Sequence, residues 1–339
     1  MNASAENCQV VFTAAGVCEL TASRIPSPGP NQVLIRTEVS LISTGTELTL
    51  LNATAAPDSN WQNILSYPNY PGYSNVGMVT AVGPGVDASL VGARVLTLGN
   101  HARYVCRPVS ETVVIPPAVA SEDAVFGVIA QIALGGVRFA APRIGDAVVI
   151  FGAGLVGQFA ARFARMAGAS SVFVSARSDR RLSLLPADGG FYPSNADREN
   201  IRALVLKKNH NELAAVAIDT TGDPAMIETE LRVLADMGRL LVLSSPRGKS
   251  TVDLDYLNVH ALSIIGAHNF TVHTPVAVPG NPYTRRHDSQ AFIDMLYRGQ
   301  ISVKNLITHC DSYKNAPKLY EMLAENRHNA LGVLIRWAD

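Results

Sequence analysis

The sequence predicts an α/β protein in which a doubly wound parallel sheet is inserted into a mostly antiparallel, β-rich domain. Three observations carry this. Residues up to about 117 fall into short alternating apolar runs parted by Gly and Pro turns, as antiparallel strands do. Residues 148–175 read strand, glycine turn, helix, strand. After them come further βα repeats whose strands are apolar on both faces, the pattern of a parallel sheet covered by helices.

Taken in order, residues 8–40 give antiparallel strands broken by Pro26, Pro28, Gly29 and Pro30, and residues 44–66 give a short helix and a loop. A second β-rich stretch turns at Gly83-Pro84-Gly85, at Gly92 and at Pro116-Pro117. From Ser121 the pattern becomes an apolar helix, with Ser121 as its N-cap and acidic residues in its first turn. The later repeats place strands at 214–221, 238–245 and 261–267, with a helix over 224–236. Residues 271–288 read as a Pro/Gly-rich loop of a length that is often functional. Arg285 and Arg286 at its end are candidates for an anionic substrate group, or for a solvated turn. The remainder reads helix, strand, helix, strand.

A chain of 339 residues is long enough for two domains with separate cores. With 28 basic and 28 acidic residues it has no net charge, which argues against nucleic acid or an acidic membrane surface as partner. No run of about 18 apolar residues that could span a bilayer is read from the sequence. The first residues lack the basic and apolar regions of a secretory signal, so a cytoplasmic protein is expected. Cys8, Cys18, Cys106 and Cys310 are too scattered for a CxxC zinc or redox motif and read as reduced thiols.

The glycine turn is Gly152-Ala153-Gly154-Leu155-Val156-Gly157. Between a strand and a helix this spacing is the dinucleotide fingerprint. Gly152 makes the tight turn, Gly154 admits a pyrophosphate to the backbone, and Gly157 lets helix and strand pack closely. The N–H groups and dipole of the helix N-terminus then face the phosphates. Thr220 and Ser244 end later strands at the same carboxyl edge of the sheet, where cofactors lie.

Four segments together resemble a known family: Thr44-Gly45-Thr46-Glu47, the run Pro71 to Gly77, Gly145-Asp146 with the glycine turn, and Leu306-Ile307-Thr308-His309. Over essentially its full length the chain is similar to the medium-chain dehydrogenases/reductases. The resemblance implies a Rossmann cofactor domain over 119–270 inserted into a GroES-like catalytic domain formed by 1–118 and 271–339. It also implies a small-molecule substrate between the two domains, and a homodimer or homotetramer paired through the 261–267 strand. The departures matter as much. Zinc-dependent members carry a cysteine where this chain has Thr44, and a His-Glu pair where it has Tyr73 and Ser74. The four-cysteine structural-zinc lobe is missing after Leu98. Thr, Tyr and Ser do not make a zinc site, so no metal is expected. The wording is similar to a zinc-lacking branch that includes bacteriochlorophyllide-type hydroxyethyl dehydrogenases.

Within that resemblance Ala176 stands where NAD-binding relatives place an acid on the ribose 2′-hydroxyl. Ser175, Arg177, Ser178 and Arg181 surround it, with Arg180 beside them and Asp179 tempering the charge. Loss of the carboxylate and gain of arginines favour NADP(H). Without zinc, Tyr73 is the expected proton donor to a developing alkoxide, and Thr44 a hydrogen-bond partner of the substrate oxygen or nicotinamide ribose. His101 falls on a loop that faces the substrate in this reading. Gln131 and His268 are substrate-side candidates, His268 and Asn269 lying near the nicotinamide end. Glu47 reads as a structural partner within its turn. The expected reaction is zinc-independent, NADP(H)-linked interconversion of a secondary alcohol and a ketone or aldehyde. The alternatives are an enone or quinone reductase and a non-catalytic nucleotide-binding protein.

Overall fold

The computed structural model describes residues 6–57, 59–274 and 276–337. The chain divides into two compact units. One comprises Met1–Ala55, Asn60–Ile129 and Arg285–Asp339; the other comprises Ala56–Ser59 and Ala130–Thr284.

In the first unit β1 (Glu6–Ala14) and β2 (Val17–Arg24) form an antiparallel ribbon. The remaining strands are β3 (Gln32–Ile42), β4 (Asn75–Val82), β5 (Arg94–Thr97), β6 (Tyr104–Pro108) and β7 (Thr112–Val114), with β14 (Ile307–Ser312) and β15 (Gly332–Arg336) from the end of the chain. They make one sheet in the order β14-β15-β3-β4-β5-β7, with β6 also paired to β3. Every pairing but β14 with β15 is antiparallel. The long β3 organises this unit because it pairs with β4, β6 and β15. Its alternation sends Val33 and Ile35 into a cluster with Val79, Val95 and Val105. Ile42 at its end joins a second cluster with Phe12, Leu48, Tyr320, Leu323, Val333 and Trp337. The helix Thr44–Leu51 follows β3 directly, so the end of that strand fixes where the Thr-Gly-Thr-Glu turn points.

The second unit holds β8 (Ala147–Phe151), β9 (Ser171–Ala176), β10 (Phe191–Asn195), β11 (Ala214–Asp219), β12 (Leu234–Val242) and β13 (Ser263–Gly266), all parallel, in the order β10-β9-β8-β11-β12-β13. This is the doubly wound order, in which the direction of winding reverses between β8 and β11. All five residues of β8 are buried, as a central strand covered on both faces requires.

The α/β class and the inserted doubly wound sheet match the sequence reading; several local expectations do not. Strand β10 is absent from it, because Phe-Tyr-Pro-Ser-Asn has a proline at its centre and little apolar alternation. As the sheet's outermost strand it tolerates that proline. The helix expected over 224–236 is a 3₁₀ turn plus Ile227–Leu231, and β12 already starts at Leu234. Ala120, not Ser121, is the N-cap; the Ser121 hydroxyl instead donates to Glu38 Oε2 at 2.6 Å. Helices Asn269–Val272 and Arg285–Tyr297 occupy both ends of the expected 271–288 loop. Arg285 and Arg286 are therefore helical residues, facing Glu111 at 3.8 Å and donating to the Thr112 carbonyl at 3.1 Å, and are engaged within the first unit. The stretch Ser121–Ala140 is long and apolar enough to cross a membrane by length and composition, but 78% of its most apolar window is buried inside the protein. It packs as a core helix.

Gly77 explains one motif position. The β3–β4 register shifts between Thr37 and Val39, and a Cβ on Gly77 would lie 2.2 Å from the Arg36 carbonyl oxygen. Gly77→Ala is expected to destabilise the protein by about 1–3 kcal/mol, read as a lower urea midpoint at unchanged m-value.

Candidate functional site

Backbone geometry builds the cofactor side. Gly152 leaves β8 at φ +98°, a conformation open to glycine. The Thr220 hydroxyl, at the end of β11, donates to the Phe151 carbonyl at 2.7 Å and bolts the turn to the next strand. A Cβ on Gly157 would sit 2.0 Å from the Gly152 carbonyl oxygen, so helix Leu155–Met166 meets the strand at the closest approach a backbone allows. Gly154, the N-cap, has no side chain to satisfy the helix, and a Cβ there would meet nothing within 4 Å. Leu155, Val156 and Gly157 thus present first-turn N–H groups to open space, a cradle that fits a pyrophosphate. Thr220 and Ser244 differ from a simple contact role. Their hydroxyls are spent internally, Thr220 on the turn and Ser244 on the Asp219 carboxylate.

On the neighbouring strand, Ser175 lies buried one residue before the end of β9, and its carbonyl accepts the Gly152 N–H at 2.8 Å. Ser178 caps the short helix Asp179–Leu182, its hydroxyl accepting the Arg181 N–H. Arg177 and Arg180 are exposed, and Arg181 is half-buried. Asp179, the acid of this loop, is taken up by Asn195 and by Arg198, whose Nη2 donates to both carboxylate oxygens, and these hold its carboxyl below the usual range. The acid expected to temper the arginines is therefore neutralised from behind.

In the first unit the Tyr73 phenol bonds the Ser43 and Thr46 hydroxyls. Burial pushes it up to about 12 despite these bonds, so it is a neutral phenol and a proton donor at pH 7. Thr44 opens the helix half-buried, but its neighbours Ser43 and Thr46 are the ones that reach Tyr73. Sequence reasoning missed both; the polar run Ser-Thr-Gly-Thr was the available signal. Glu47 is buried and saturated: Oε1 accepts the Ser43 N–H at 2.7 Å, and Oε2 accepts from the Tyr320 hydroxyl and from His101 Nε2 at 3.0 Å. His101 corrects its expectation. It is fully buried with Nδ1 on Ser40 at 2.8 Å, and its ring lies where a Cβ on Gly72 would stand. Since a carboxylate only accepts, Nε2 carries the proton. His101 braces the Tyr73 turn and is not free to act on a substrate.

Gln131 lies in helix Gly127–Ala140, 1% exposed, and neither Oε1 nor Nε2 has a hydrogen-bond partner. An unpaired buried amide costs about 1–3 kcal/mol per group, which a ligand would recover. One turn on, the His273 ring covers Gly135. His268 is exposed, the N-cap of helix Asn269–Val272, its ring against Phe270; the Asn269 Oδ1 beside it is buried and unbonded. Below the Thr220 turn, Asp219 accepts from the Thr221 N–H and hydroxyl and from Ser244. Burial and then the Asp219 charge push the buried Glu230 carboxyl up to about 9. Beside the Asp219 carboxylate, Glu230 is therefore held in its protonated form at neutral pH.

Residues 156–277 match the family model described as zinc-binding dehydrogenase. The chain is similar in sequence and fold to dehydrogenases. An L-threonine 3-dehydrogenase of Pyrococcus horikoshii is 26% identical over 356 aligned positions, covering 94% of each chain. A Sinorhizobium meliloti 1021 protein described as a zinc-binding dehydrogenase and bound to NADP superposes with a TM-score of 0.80 at 19% identity, over 98% of this chain and 99% of that one. An Escherichia coli CFT073 protein described as a short chain alcohol dehydrogenase and complexed with NADH gives 0.82 at 18%, over 98% and 99%. The two structures share the fold of this chain, and they hold different nicotinamide nucleotides.

Gly157→Ala is expected to abolish detectable nicotinamide-nucleotide binding by fluorescence titration while the far-UV circular dichroism stays native. Because the Glu230 pKa is raised on folding, wild-type stability falls as pH rises from the ordinary carboxyl range toward about 9, with a slope of up to about 1.4 kcal/mol per pH unit. Glu230→Gln flattens that dependence in urea titrations from pH 5.5 to 8.5; an unchanged slope would refute the protonated acid.

Proposed function

We propose that this chain is an NADP(H)-dependent oxidoreductase that interconverts a secondary alcohol and a ketone or aldehyde without a metal ion. The observation that carries the reading is the Tyr73–Ser43–Thr46 hydroxyl cluster, of which Tyr73 stands where the family resemblance implies a zinc ligand and Ser43 and Thr46 flank Thr44, which replaces another.

Zinc needs thiolate, imidazole or carboxylate donors. Thr44 and Tyr73 offer none, and the Ser74 hydroxyl is spent on the Val125 carbonyl. Glu47 and His101 are saturated by one another and by Ser43, Tyr320 and Ser40. Among the described residues no three His, Cys, Asp or Glu stand together as a metal site. The residues do not fit a zinc ion.

A nicotinamide nucleotide does fit, at the Gly154 cradle, and supplies or accepts the hydride when bound. In the reductive direction the neutral Tyr73 phenol donates its proton to the oxygen that gains charge, and Ser43 and Thr46 hold the ring and stabilise the phenolate left behind. Gln131, its amide unbonded, orients the polar part of the substrate. The uncompensated Arg177 and Arg180 favour a 2′-phosphate, hence NADP(H). The name of the Pyrococcus relative, L-threonine 3-dehydrogenase, denotes oxidation at a secondary alcohol, which favours carbonyl over double-bond chemistry. The open edge of β13, with Ile264 exposed, suits pairing with a second copy.

NADPH oxidation followed at 340 nm with a ketone panel beside an enone panel tests the reading. Activity on ketones or aldehydes is expected, and activity on enones alone would replace it with a double-bond reductase. Tyr73→Phe is expected to lower kcat by about 10²-fold or more with little change in NADPH affinity. Because the Tyr73 pKa is raised to about 12, its acid form persists across the working range. Ketone reduction should therefore be flat from pH 6 to 9, while alcohol oxidation, which must take that proton away, rises with pH.

A further inference from the structure

The cofactor unit contains a buried charge that the mechanism above does not use. Arg162 lies in the helix Leu155–Met166, whose first turn faces the pyrophosphate cradle, and it is only 7% exposed. Its Nη1 donates to the Gln158 carbonyl at 3.0 Å and to Gln158 Oε1 at 2.7 Å, and its Nη2 donates to the Leu184 carbonyl at 2.9 Å. Gln158, fully buried one turn earlier, donates its Nε2 to the Arg181 carbonyl at 2.7 Å. The two side chains therefore tie the phosphate-facing helix to the 181–184 segment from both ends of that segment.

Carbonyls and an amide are its only partners: no carboxylate pairs with Arg162 among the described residues. The acid closest in sequence to the clamped segment, Asp179, is committed to Arg198 and Asn195. An isolated buried guanidinium is costly, and desolvation pulls this one down to about 10, which leaves it charged at neutral pH. A neutral residue of similar shape would spare that cost, so the charge itself calls for an anion. The loop it clamps carries Arg177, Arg180 and Arg181, the groups assigned above to a 2′-phosphate.

We infer that Arg162, with Gln158, is a positioning residue for the phosphate-bearing ribose of the cofactor: it fixes the backbone of the arginine loop and adds an uncompensated positive charge beneath it, so that the chain discriminates NADPH from NADH. This inference rests on the NADP(H) reading of the same site. No bond to the cofactor is required of Arg162; it acts through the loop and through its field, which in a low-dielectric interior is screened far less than a surface charge.

The test uses the full chain as wild type, Arg162→Met, Arg162→Lys and Gln158→Leu. Dissociation constants for NADPH, NADH, 2′,5′-ADP and 5′-AMP are measured by fluorescence titration and displacement, alongside kcat at saturating NADPH. Arg162→Met is expected to weaken NADPH and 2′,5′-ADP by about tenfold or more, the scale of one charge-assisted interaction. NADH and 5′-AMP should change less than about threefold, with kcat nearly unchanged. Arg162→Lys, which keeps the charge and loses the fork, recovers part of the preference. Gln158→Leu, which keeps the charge and removes the bond to the Arg181 carbonyl, loses part of it. Equal weakening of both nucleotide classes would make Arg162 merely structural and overturn the inference, as would an unchanged NADPH-to-NADH ratio. Should Arg162→Met not fold, an unchanged ratio in both other variants overturns it equally. A wild type that binds NADPH no tighter than NADH defeats the cofactor reading and this inference together. A wild type that prefers NADPH, with variants that keep its preference, defeats this inference alone.

Discussion

The buried carboxylate of Glu47 is the interaction on which the first unit's chemistry depends. It accepts the Ser43 N–H from the start of its own helix, the Tyr320 hydroxyl from the C-terminal helix Ala316–Asn326, and His101 from the loop before β6. A carboxylate in an apolar interior is tolerable only when its lone pairs are filled. Each partner is thus held by the others' need, and Tyr73 hangs from this knot through Ser43 on one side and through Gly72, packed on the His101 ring, on the other. Trp337 closes it by donating to the same Ser40 hydroxyl that His101 uses. The position of the phenol is a consequence of a saturated buried charge several bonds away.

The cofactor unit solves the opposite problem. Its strand-end hydroxyls are turned inward, Thr220 onto the glycine turn and Ser244 onto Asp219, so the surface offered to a nucleotide is largely backbone. Behind Asp219 the buried Glu230 is pushed up to about 9, and a buried Arg162 donates to the Leu184 carbonyl at the end of the arginine loop.

Much of this was legible in the sequence. The glycine turn specified its own geometry because each glycine answers a steric demand that no other residue meets, and the two-faced apolar strands announced the parallel sheet. Thr44 marked the right turn, but which hydroxyls of that turn reach Tyr73 is set by how the helix leaves β3, a tertiary fact. His101 read as a lone loop histidine because its partners are 54 and 61 residues away. Strand β10 was hidden by Pro193, harmless only because the strand is at an edge. Arg162 looked like one more polar residue on an amphipathic helix, since nothing in local spacing reveals that its face is covered by residues 181–184.

Under the proposed function, hydroxyl groups ordered by a buried carboxylate take the place of a metal ion. The most direct measurement is zinc content by elemental analysis, set against NADPH-dependent carbonyl reduction before and after exhaustive chelation. Full activity at far less than one zinc per chain, unchanged by chelation and by added zinc, is the predicted result. Activity that tracks bound zinc, lost on chelation and restored on reloading, would contradict it.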